Sequence, residues 1–408
     1  MWSLAWRNVW RGGGRSLVTA GAVAAVVTLM LLMYGFAGGA TNGMFQNLTR
    51  PVGHLVVRVR GYDRIESFDQ RLLFGLEDLK ARVRRTLPDA DVEAVLEVPA
   101  LLAGASRSRG VVLMGLESDG HLMQEMVDRY LAEGQRPQPG RWQVAPGRAL
   151  ARALRVNVGD EVYAFAPGTE GLGAAAFEVS GLLDLPQSSL EARTAMLELG
   201  DAQALAAPDA ASRIVVFLPE VKTLAQERRI NEAKAKLAAA LPGDYEVLTW
   251  REAEPALAAV LDMMTPMLLI YALLFFGLAG LLVVNTVYLS LVERIREFGV
   301  IIALGADRWK VMRMVMLESL VLVLSGALVG GVVGGLLLLR AARGFSLPGP
   351  LAQQYAEFGL PVVMYASVTP AQVASVFAFA VLTAIASALW PAWLAGRLEP
   401  VEAIRHVA

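Results

Sequence analysis

The sequence predicts a membrane α-helical protein with four transmembrane helices and a large α+β domain inserted between helices 1 and 2. Three observations carry this prediction. The chain of 408 residues is 55% hydrophobic and only 18% charged, with a mean hydropathy of +0.47, well to the apolar side of an ordinary soluble domain. Four apolar runs are long enough to cross a bilayer. One long stretch of mixed composition separates the first run from the second.

The four spans are defined by their length. About 20 apolar residues are needed to cross a hydrocarbon core of about 30 Å, and such runs occupy 17–39, 263–291, 311–339 and 373–394. The first run follows basic residues, as a secretory signal would. It is nevertheless longer than the about 7–15 apolar residues of a signal peptide, so we expect an uncleaved membrane anchor.

Lys and Arg residues close to the span ends indicate the orientation, because positively charged short loops stay in the cytoplasm. The loop between the third and fourth runs has only Arg340 and Arg343 near it. The other basic residues near the runs precede the first, lie between the second and third, or follow the fourth: Arg7, Arg11, Arg15, Arg294, Arg296, Arg308, Lys310, Arg313, Arg397 and Arg405. Both termini are therefore expected in the cytoplasm, and residues 40–262 outside it.

The region 40–262 alternates strand and helix signals and is long enough to bury its own core. His54–Arg60 is typical of a strand, and Gln70–Thr86 has the apolar spacing of an amphipathic helix. Lys222–Leu241 is predicted as a second helix, and Val162–Val179 as a hairpin with a Gly-rich break. We expect a folded α+β domain.

Composition excludes several kinds of site. The chain has no cysteine, and its three histidines, His54, His121 and His406, lie far apart in no metal-binding spacing. Neither a metal nor a catalytic residue is predicted. A net charge of −1 without a long basic run argues against a nucleic-acid partner.

The second span is predicted to extend beyond the membrane. Its helical pattern runs from Asp262 to Glu293, which corresponds to about 48 Å of helix against a core of about 30 Å. Such a helix continues outward as a stalk. A stalk would couple movement of the outer domain to the cytoplasmic side.

The loop after this helix is the most informative part of the sequence. Val300–Leu304 is a short apolar run, Gly305 permits a sharp reversal, and Asp307 is positioned to cap the helix that follows. The pattern predicts a short amphipathic helix lying against the membrane. From the pattern alone, it is either an ordinary interfacial turn or a helix that docks on a nucleotide-binding protein.

Two motifs resemble a known family. ERIREFGVIIALGADRWKV, which begins at Glu293, resembles the E-R-x-x-E-F/I-G-x-x-x-A-L/I-G-A motif of ABC transporter permeases of the LolC/LolE, MacB and FtsX family (mechanotransmission, type VII ABC). The tail Pro391–Arg405 resembles that family's P-x-x-x-A-x-R-x-x-P-V/I-E-A-L/I-R ending. The opening AWRNVWRGGGRS and the stretch Gly147–Val162 are also similar to it, so the resemblance covers nearly the whole chain.

The resemblance implies a permease, not an enzyme, in a dimer with a second copy or a paralogue and bound to two copies of an ABC ATPase subunit. The sequence holds no G-x-x-x-x-G-K-S/T motif, so no cofactor is expected in this chain and ATP and Mg are expected on the partner. The resemblance assigns coupling to the ATPase to Glu293, Arg294, Arg296, Glu297, Gly299, Leu304, Gly305 and Ala306. It places Arg397, Pro400 and Arg405 in the nearby tail.

Together these predictions give a membrane α-helical fold (four transmembrane helices) with a large α+β extracytoplasmic domain inserted between helices 1 and 2. The predicted boundaries are 1–16 for a cytoplasmic amphipathic helix, 17–39 for TM1, 40–262 for the periplasmic α+β domain (porter-like plus a smaller subdomain), 263–291 for TM2 with its stalk, 292–310 for the cytoplasmic coupling helix, 311–339 for TM3, 340–372 for a short periplasmic loop, 373–394 for TM4 and 395–408 for the cytoplasmic tail.

Other residues carry structural predictions. Gly326, Gly330 and Gly334 recur every four residues in the third span and predict close helix packing in lipid. Glu318 lies in the same span and is expected either to have an ion-pair partner, for which Arg294 and Arg313 are the candidates, or to serve a proton or substrate role. Flexible thioethers and aromatic rings adapt to varied apolar ligands. A group at the outer ends of the first two spans is expected to face lipid or pack or, in a lipoprotein-releasing permease, to contact the apolar cargo: Met33, Phe36, Met44, Phe45, Met267 and Tyr271.

Three functions remain open. The stretch after the first span is more similar to the LolC/LolE branch, which implies extraction of lipoproteins or other lipidated cargo from a bacterial inner membrane, with a periplasmic carrier as a further partner. The alternatives are MacB-like export of peptides or drugs with a periplasmic adaptor, and FtsX-like regulation of a cell-wall hydrolase. In LolC the hairpin loop that engages the carrier is longer than APGTEGLGAAA here, which leaves the acceptor open.

Overall fold

The computed structural model describes residues 14–185, 188–304, 306–346, 349–350 and 363–397. Residues 1–13 of the predicted N-terminal helix lie outside the described residues, as do Gly305, Pro400 and Arg405. The chain divides into two compact units. The membrane unit comprises the described residues within 1–41, 261–347 and 363–408, and the inserted unit comprises those within 42–260 and 348–362.

Helices and strands are numbered along the described chain. The helices are α1 Gly14–Val52, α2 Leu76–Thr86, α3 His121–Tyr130, α4 Arg148–Leu154, α5 Ser188–Glu191, α6 Leu199–Ala206, α7 Glu227–Ala240, α8 Trp250–Ala253, α9 Pro255–Glu293, α10 Ile295–Ala303, α11 Arg308–Ala341 and α12 Pro370–Gly396. The strands are β1 Leu55–Val59, β2 Leu73–Phe74, β3 Asp91–Ala103, β4 Ser108–Leu116, β5 Leu131–Gly134, β6 Gln143–Pro146, β7 Glu161–Gly168, β8 Gly171–Val179, β9 Gly181–Leu183, β10 Thr194–Glu198, β11 Ala210–Ala211, β12 Arg213–Phe217, β13 Tyr245–Thr249, β14 Phe345–Ser346 and β15 Val363–Met364.

Within the described residues, four helices are long and apolar enough to cross a membrane: α1, α9, α11 and α12. Each contains one predicted span and extends beyond it at both ends. The largest difference is in α1, which continues as far as Val52, thirteen residues past the predicted end at Gly39. The added turns are stabilised within the inserted unit, where Phe45 is fully buried and the Asn42 side chain accepts a hydrogen bond from the backbone N–H of Leu224.

One half of the inserted unit is an antiparallel sheet with strand order β13-β1-β12-β3. In chain order the elements β1, α2, β3, β12, α7 and β13 form the split β-α-β arrangement of a ferredoxin-like fold. The two helices cover the sheet with apolar side chains, among them Leu79 and Val83 of α2 and Ile230 and Leu237 of α7.

The other half is a closed barrel. Beyond β3 the sheet continues through β4, β10, β6, β8 and β7, and β7 pairs back with β3. The 13-residue strand β3 therefore belongs to both halves. Alternate side chains of β7 point inward, where Val162, Ala164 and Ala166 are buried. Closure removes the free edges that an open sheet would expose.

Two local predictions change in extent. The predicted hairpin is confirmed as β7 and β8, which pair from Glu161↔Glu178 to Gly168↔Gly171. The predicted helix Gln70–Thr86 is wrong in its first six residues, because α2 begins only at Leu76. Gly75 immediately before it has φ 66°, a left-handed conformation that interrupts a right-handed helix.

The membrane unit packs through small residues. A Cβ built on Gly326 would lie 2.5 Å from the Ala20 carbonyl oxygen, and one on Gly330 would lie 2.4 Å from that of Ala24. A Cβ built on Gly334 would lie 2.9 Å from the side chain of Leu31, which is also in α1. The predicted glycine seam of α11 therefore lies directly against α1. Close backbone approach of this kind is how helices associate where lipid offers no hydrophobic driving force.

Candidate functional site

The connecting segment, residues 293–310, joins α9 to α11. α9 ends at Glu293, the backbone leaves the helical conformation at Arg294 (φ −117°, ψ 15°), and α10 follows from Ile295 to Ala303. The predicted cap of the next helix is confirmed, since the Asp307 carboxylate accepts a hydrogen bond from the backbone N–H of Trp309 at 3.3 Å. The described part of the segment is therefore a break at Arg294, the short helix α10 and the cap of α11 at Asp307.

α10 has one buried face and one exposed face, as the pattern predicts. Phe298 and Gly299 are buried, and Ile302 packs against the core of the membrane unit. The opposite face carries solvent-exposed apolar side chains: Leu304 is 83% exposed, and Val300 is also exposed. Trp309, at the start of α11, is 67% exposed. The exposed apolar residues Val300, Leu304 and Trp309 are called the docking face below.

The predicted coupling residues occupy different positions in this geometry. Glu293, Arg296 and Glu297 have exposed side chains, Ala306 is half-buried, and Gly299 lies on the buried face of α10. Arg294 is the connecting residue between α9 and α10 and is largely buried. Its guanidinium donates to Glu318 of α11 at 3.1 Å and to Glu297 at 3.0 Å.

Of the two partners predicted for Glu318, the structure selects Arg294. The Arg294 guanidinium also lies over the ring of Phe298, 5.1 Å from its centroid. The side chains of Arg294 and Glu318 are only 19% and 14% exposed. Arg313, the other candidate, is exposed. One buried ion pair therefore connects the α9–α10 junction to α11.

A second ion pair lies at the same end of the membrane unit but in solvent. Arg15 near the start of α1 donates to Glu293 at 2.5 Å, and both side chains are 61% exposed. Exposed pairs of this kind contribute about 0–1 kcal/mol. The two pairs use consecutive residues of the chain, Glu293 and Arg294, in opposite environments.

A small cavity lies beneath α10. Its volume is about 30 Å³, and its lining combines Phe298 and Glu318 with the hydroxyl-bearing Ser16, Thr286 and Ser290. That volume admits about one or two water molecules. Polar side chains from α1, α9 and α11 thus meet directly below the connecting segment.

The described part of the tail lies next to the same region. A Cβ on Gly396, the last residue of α12, would lie 3.0 Å from the Met312 side chain of α11. The Arg397 guanidinium stacks over the Trp393 ring at 4.0 Å from the centroid. Arg397 directly follows Gly396 and so lies close to the start of α11.

The predicted cargo-contact residues fall into two groups. Met33, Phe36, Met44 and Tyr271 are half-buried and Met267 is exposed. Phe45 is a correction: it is fully buried in the inserted unit, with ring centroids 5.4 Å from Trp250 and 5.9 Å from His54. It is packed there because α1 continues past the predicted span, so Phe45 does not present a surface to cargo.

A large polar groove, of about 710 Å³, lies next to α3 in the inserted unit. Glu93 at its base accepts from the backbone N–H groups of His121 and Leu122 at 2.5 and 3.1 Å. Burial raises the pKa of Glu93 despite these hydrogen bonds. Within the described residues, no three His, Cys, Asp or Glu side chains come together as a metal site would require.

Sequence reasoning missed three contributors to the site: Arg15, Trp309 and Trp393. A signal was available for two of them. Trp393 precedes Arg397 by four residues, the spacing that puts two side chains on one helix face. Trp309 follows the helix cap Asp307 at the predicted membrane edge, where amphipathic aromatic residues are common. The Arg15–Glu293 pair joins residues 278 positions apart and has no local signal.

Comparisons with known proteins agree with the motifs. Residues 269–400 match the model of the FtsX-like permease C-terminal domain. The chain is 31% identical over 188 residues to a macrolide export ATP-binding/permease protein MacB of Syntrophobacter fumaroxidans, which covers 45% of this chain but 24% of the relative. It is 22% identical over 400 residues to a lipoprotein-releasing system transmembrane protein LolC of Xylella fastidiosa, covering 94% of this chain and 92% of the relative.

Further matches concern shorter regions. An ABC transporter permease, YknZ of Bacillus subtilis, is 29% identical over 164 residues, which cover 40% of this chain and 36% of the relative. The solved periplasmic region of MacB from Actinobacillus actinomycetemcomitans is 13% identical, with a TM-score of 0.34, and covers 53% of this chain and 97% of that one. The domain match over residues 269–400, the relative aligned over 94% of the chain and the four apolar helices with an inserted α+β unit make the chain similar to ABC transporter permeases of the FtsX, MacB and LolC type.

Proposed function

We propose that this chain is the membrane subunit of an ATP-driven transporter, and that a separate ATPase binds the docking face and moves α10. The observation that carries the proposal is the division of α10 into two faces. Phe298 holds one face against the membrane unit, while Val300, Leu304 and Trp309 leave an apolar surface uncovered. Exposed apolar groups clustered among charges are typical of protein contact sites.

The charges around the docking face support a protein partner. Arg296 and Glu297 of α10, and Asp307, Arg308 and Lys310 at the start of α11, are exposed beside the apolar residues. An apolar centre with a charged rim is the usual anatomy of a protein interface. The orientation predicted from Lys and Arg places this end in the cytoplasm, where an ATPase has access to ATP.

Movement of α10 has a direct route along the chain. α9 is one helix of 39 residues, about 58 Å long at 1.5 Å per residue. Its last residue adjoins Arg294, and its first residues belong to the inserted unit. We propose that α9 carries force from the connecting segment to the inserted unit, which would lie in the periplasm of a bacterial inner-membrane transporter.

A single substitution tests the docking face. Leu304→Glu should abolish co-purification of a co-expressed ATPase subunit, because it puts a charge at the centre of the apolar contact. Leu172→Glu is the matched control, since Leu172 is a similarly exposed leucine (77%) in the inserted unit, and it should leave binding unchanged. Normal ATPase binding by the Leu304 variant would contradict the proposal.

For the cargo, we propose lipoproteins or other lipidated molecules. The support is the relative named as a lipoprotein-releasing system protein, which aligns over 94% of this chain. The outer parts of α1 and α9 add accessible apolar side chains, Phe36, Met267 and Tyr271. A photocrosslinker at Met267 should capture lipidated but not unlipidated cargo in the presence of ATP. Capture of bulk phospholipid alone would contradict the cargo assignment.

Export of MacB type is the second candidate. The relative named for macrolide export has the higher identity, 31%, although the aligned part is 24% of that protein. An exporter of this kind would need an adaptor in the periplasm, whereas a lipoprotein extractor would need a carrier. Co-purification with proteins from the same gene neighbourhood separates the two. An FtsX-like regulator would instead bind a cell-wall hydrolase and move no cargo.

A further inference from the structure

Two long helices, α9 and α11, and the short helix α10 meet at one side chain of the membrane unit. Arg294 is the residue at which α9 ends and α10 begins, and Glu318 lies ten residues into α11. The guanidinium of Arg294 contacts the Glu318 carboxylate at 3.1 and 3.3 Å. The contact therefore connects the α9–α10 junction, at Arg294, to α11, at Glu318.

The same guanidinium also organises α10 itself. It donates to Glu297 at 3.0 Å and lies 5.1 Å from the centroid of the Phe298 ring. Phe298 is the buried anchor of α10, and Glu297 is on its first turn. The direction of α10 is consequently tied to α9 by the chain and to α11 by the ion pair.

Burial gives this pair a role that its neighbour does not have. Arg294 and Glu318 are 19% and 14% exposed, whereas Arg15 and Glu293 are both 61% exposed. Removing the Glu318 carboxylate would leave the largely buried Arg294 with only the exposed Glu297 as a carboxylate partner, which costs more than removing a partner from a pair in solvent. The backbone at Arg294 is outside the helical region, and the Glu318 pair adds to the backbone hydrogen bonds and the buried Phe298 a side-chain contact from this residue to α11.

We propose that Glu318 is a positioning residue for force transmission: through Arg294 it holds the α9–α10 junction at a fixed angle, so that α10, α9 and α11 move as one body. This inference rests on the proposed function of α10 as the part that an ATPase moves. With the pair intact, displacement of the docking face turns α9. With the pair broken, α10 swings at Arg294 and the displacement is lost.

The first test needs no ATPase. The natural chain has no cysteine, so Val300→Cys and Leu282→Cys, both exposed positions, can carry two spin labels on α10 and α9. Pulsed electron paramagnetic resonance on the full chain in nanodiscs should give a narrow distance distribution. Adding Glu318→Gln should broaden it at least about twofold, and the matched control Arg15→Gln should leave it unchanged. A distribution unchanged by Glu318→Gln would overturn the inference.

The second test measures coupling. In the complex with its ATPase, Glu318→Gln should lower the permease-stimulated ATP hydrolysis about tenfold while the ATPase still co-purifies, because the docking face is untouched. Glu318→Asp keeps the charge and should restore much of the stimulation, which a purely space-filling role would not explain. Full stimulation with Glu318→Gln would overturn the inference, whereas normal binding with Leu304→Glu would overturn the proposed function.

Discussion

Acidification is expected to destabilise the inserted unit through His54. The ring is 8% exposed and lies between Phe45 and Phe217. Its Nδ1 accepts a hydrogen bond from the backbone N–H of Leu218 at 3.0 Å, and its Nε2–H donates to the carbonyl of Val221 at 3.1 Å. A proton on Nδ1 would face the Leu218 N–H, so the folded state requires the neutral ring.

The magnitude follows from the pKa of this ring. Burial lowers the pKa of His54 from 6.5 to about 4, against the opposing hydrogen bond to Val221. The unfolded chain therefore binds a proton more readily than the folded one between these values. Stability is complete above pH 6.5 and is lost as the pH falls through 4, by about 2 kcal/mol at pH 5 and about 3 kcal/mol in total at about 1.4 kcal/mol per unit.

Other groups titrate in the same range, so the assay uses a difference. Burial raises the pKa of Glu93 and of Asp201, which opposes the loss because these folded carboxyls take up protons more readily. Urea unfolding of the purified protein at pH 7 and pH 5 can be monitored by hydrogen exchange in peptides of the inserted unit. In the wild type, the free energy of unfolding of this unit should be lower at pH 5. His54→Asn should remove about 2 kcal/mol of the pH difference.

The exposed His121 provides the control, and His121→Asn should keep the wild-type slope. An identical slope in the wild type and the His54 variant would refute the reasoning. It would show that protonation of His54 does not cause the loss of unfolding free energy of the inserted unit at low pH.

Two further predictions concern packing. Gly330→Ala should lower the stability of the membrane unit by about 1–3 kcal/mol, because its Cβ would meet the Ala24 carbonyl at 2.4 Å. The control Gly335→Ala should be neutral, because a Cβ there has nothing within 4 Å. Equal effects of the two variants in differential scanning fluorimetry would contradict the predicted seam. Phe45→Ala should cost the inserted unit about 3–5 kcal/mol, because Phe45 is fully buried against Trp250. A photocrosslinker at Phe45 that captured cargo would show that this burial is not maintained.

Much of the candidate site could be predicted because its signals are local. Each span is a continuous apolar run, and a helix that must satisfy its own backbone in lipid needs no distant partner to be recognised. The turn at Asp307 and the amphipathic character of α10 depend on neighbours within a few residues. The hairpin β7–β8 also follows from alternation and glycines along one short stretch.

The same reasoning could not go further where long-range contacts decide. Sequence reasoning left both Arg294 and Arg313 as candidate partners for Glu318, because both lie near the same predicted membrane edge. It extended a helix over Gln70–Gly75, since apolar spacing does not show that Gly75 adopts φ 66°. It placed Phe45 among cargo contacts, since composition does not reveal where a span ends and a buried extension begins.

The sequence by itself determined four spans, their predicted orientation and the connecting segment, because bilayer thickness and helix caps act on consecutive residues. Only the tertiary structure decided that β7 closes a barrel onto β3, that the glycines of α11 face α1, and that Arg294 is buried with Glu318 while Glu293 pairs with Arg15 in solvent. Each of these contacts depends on which surfaces of distant segments pack together in the folded chain. That property belongs to the packed chain and not to any short stretch of it.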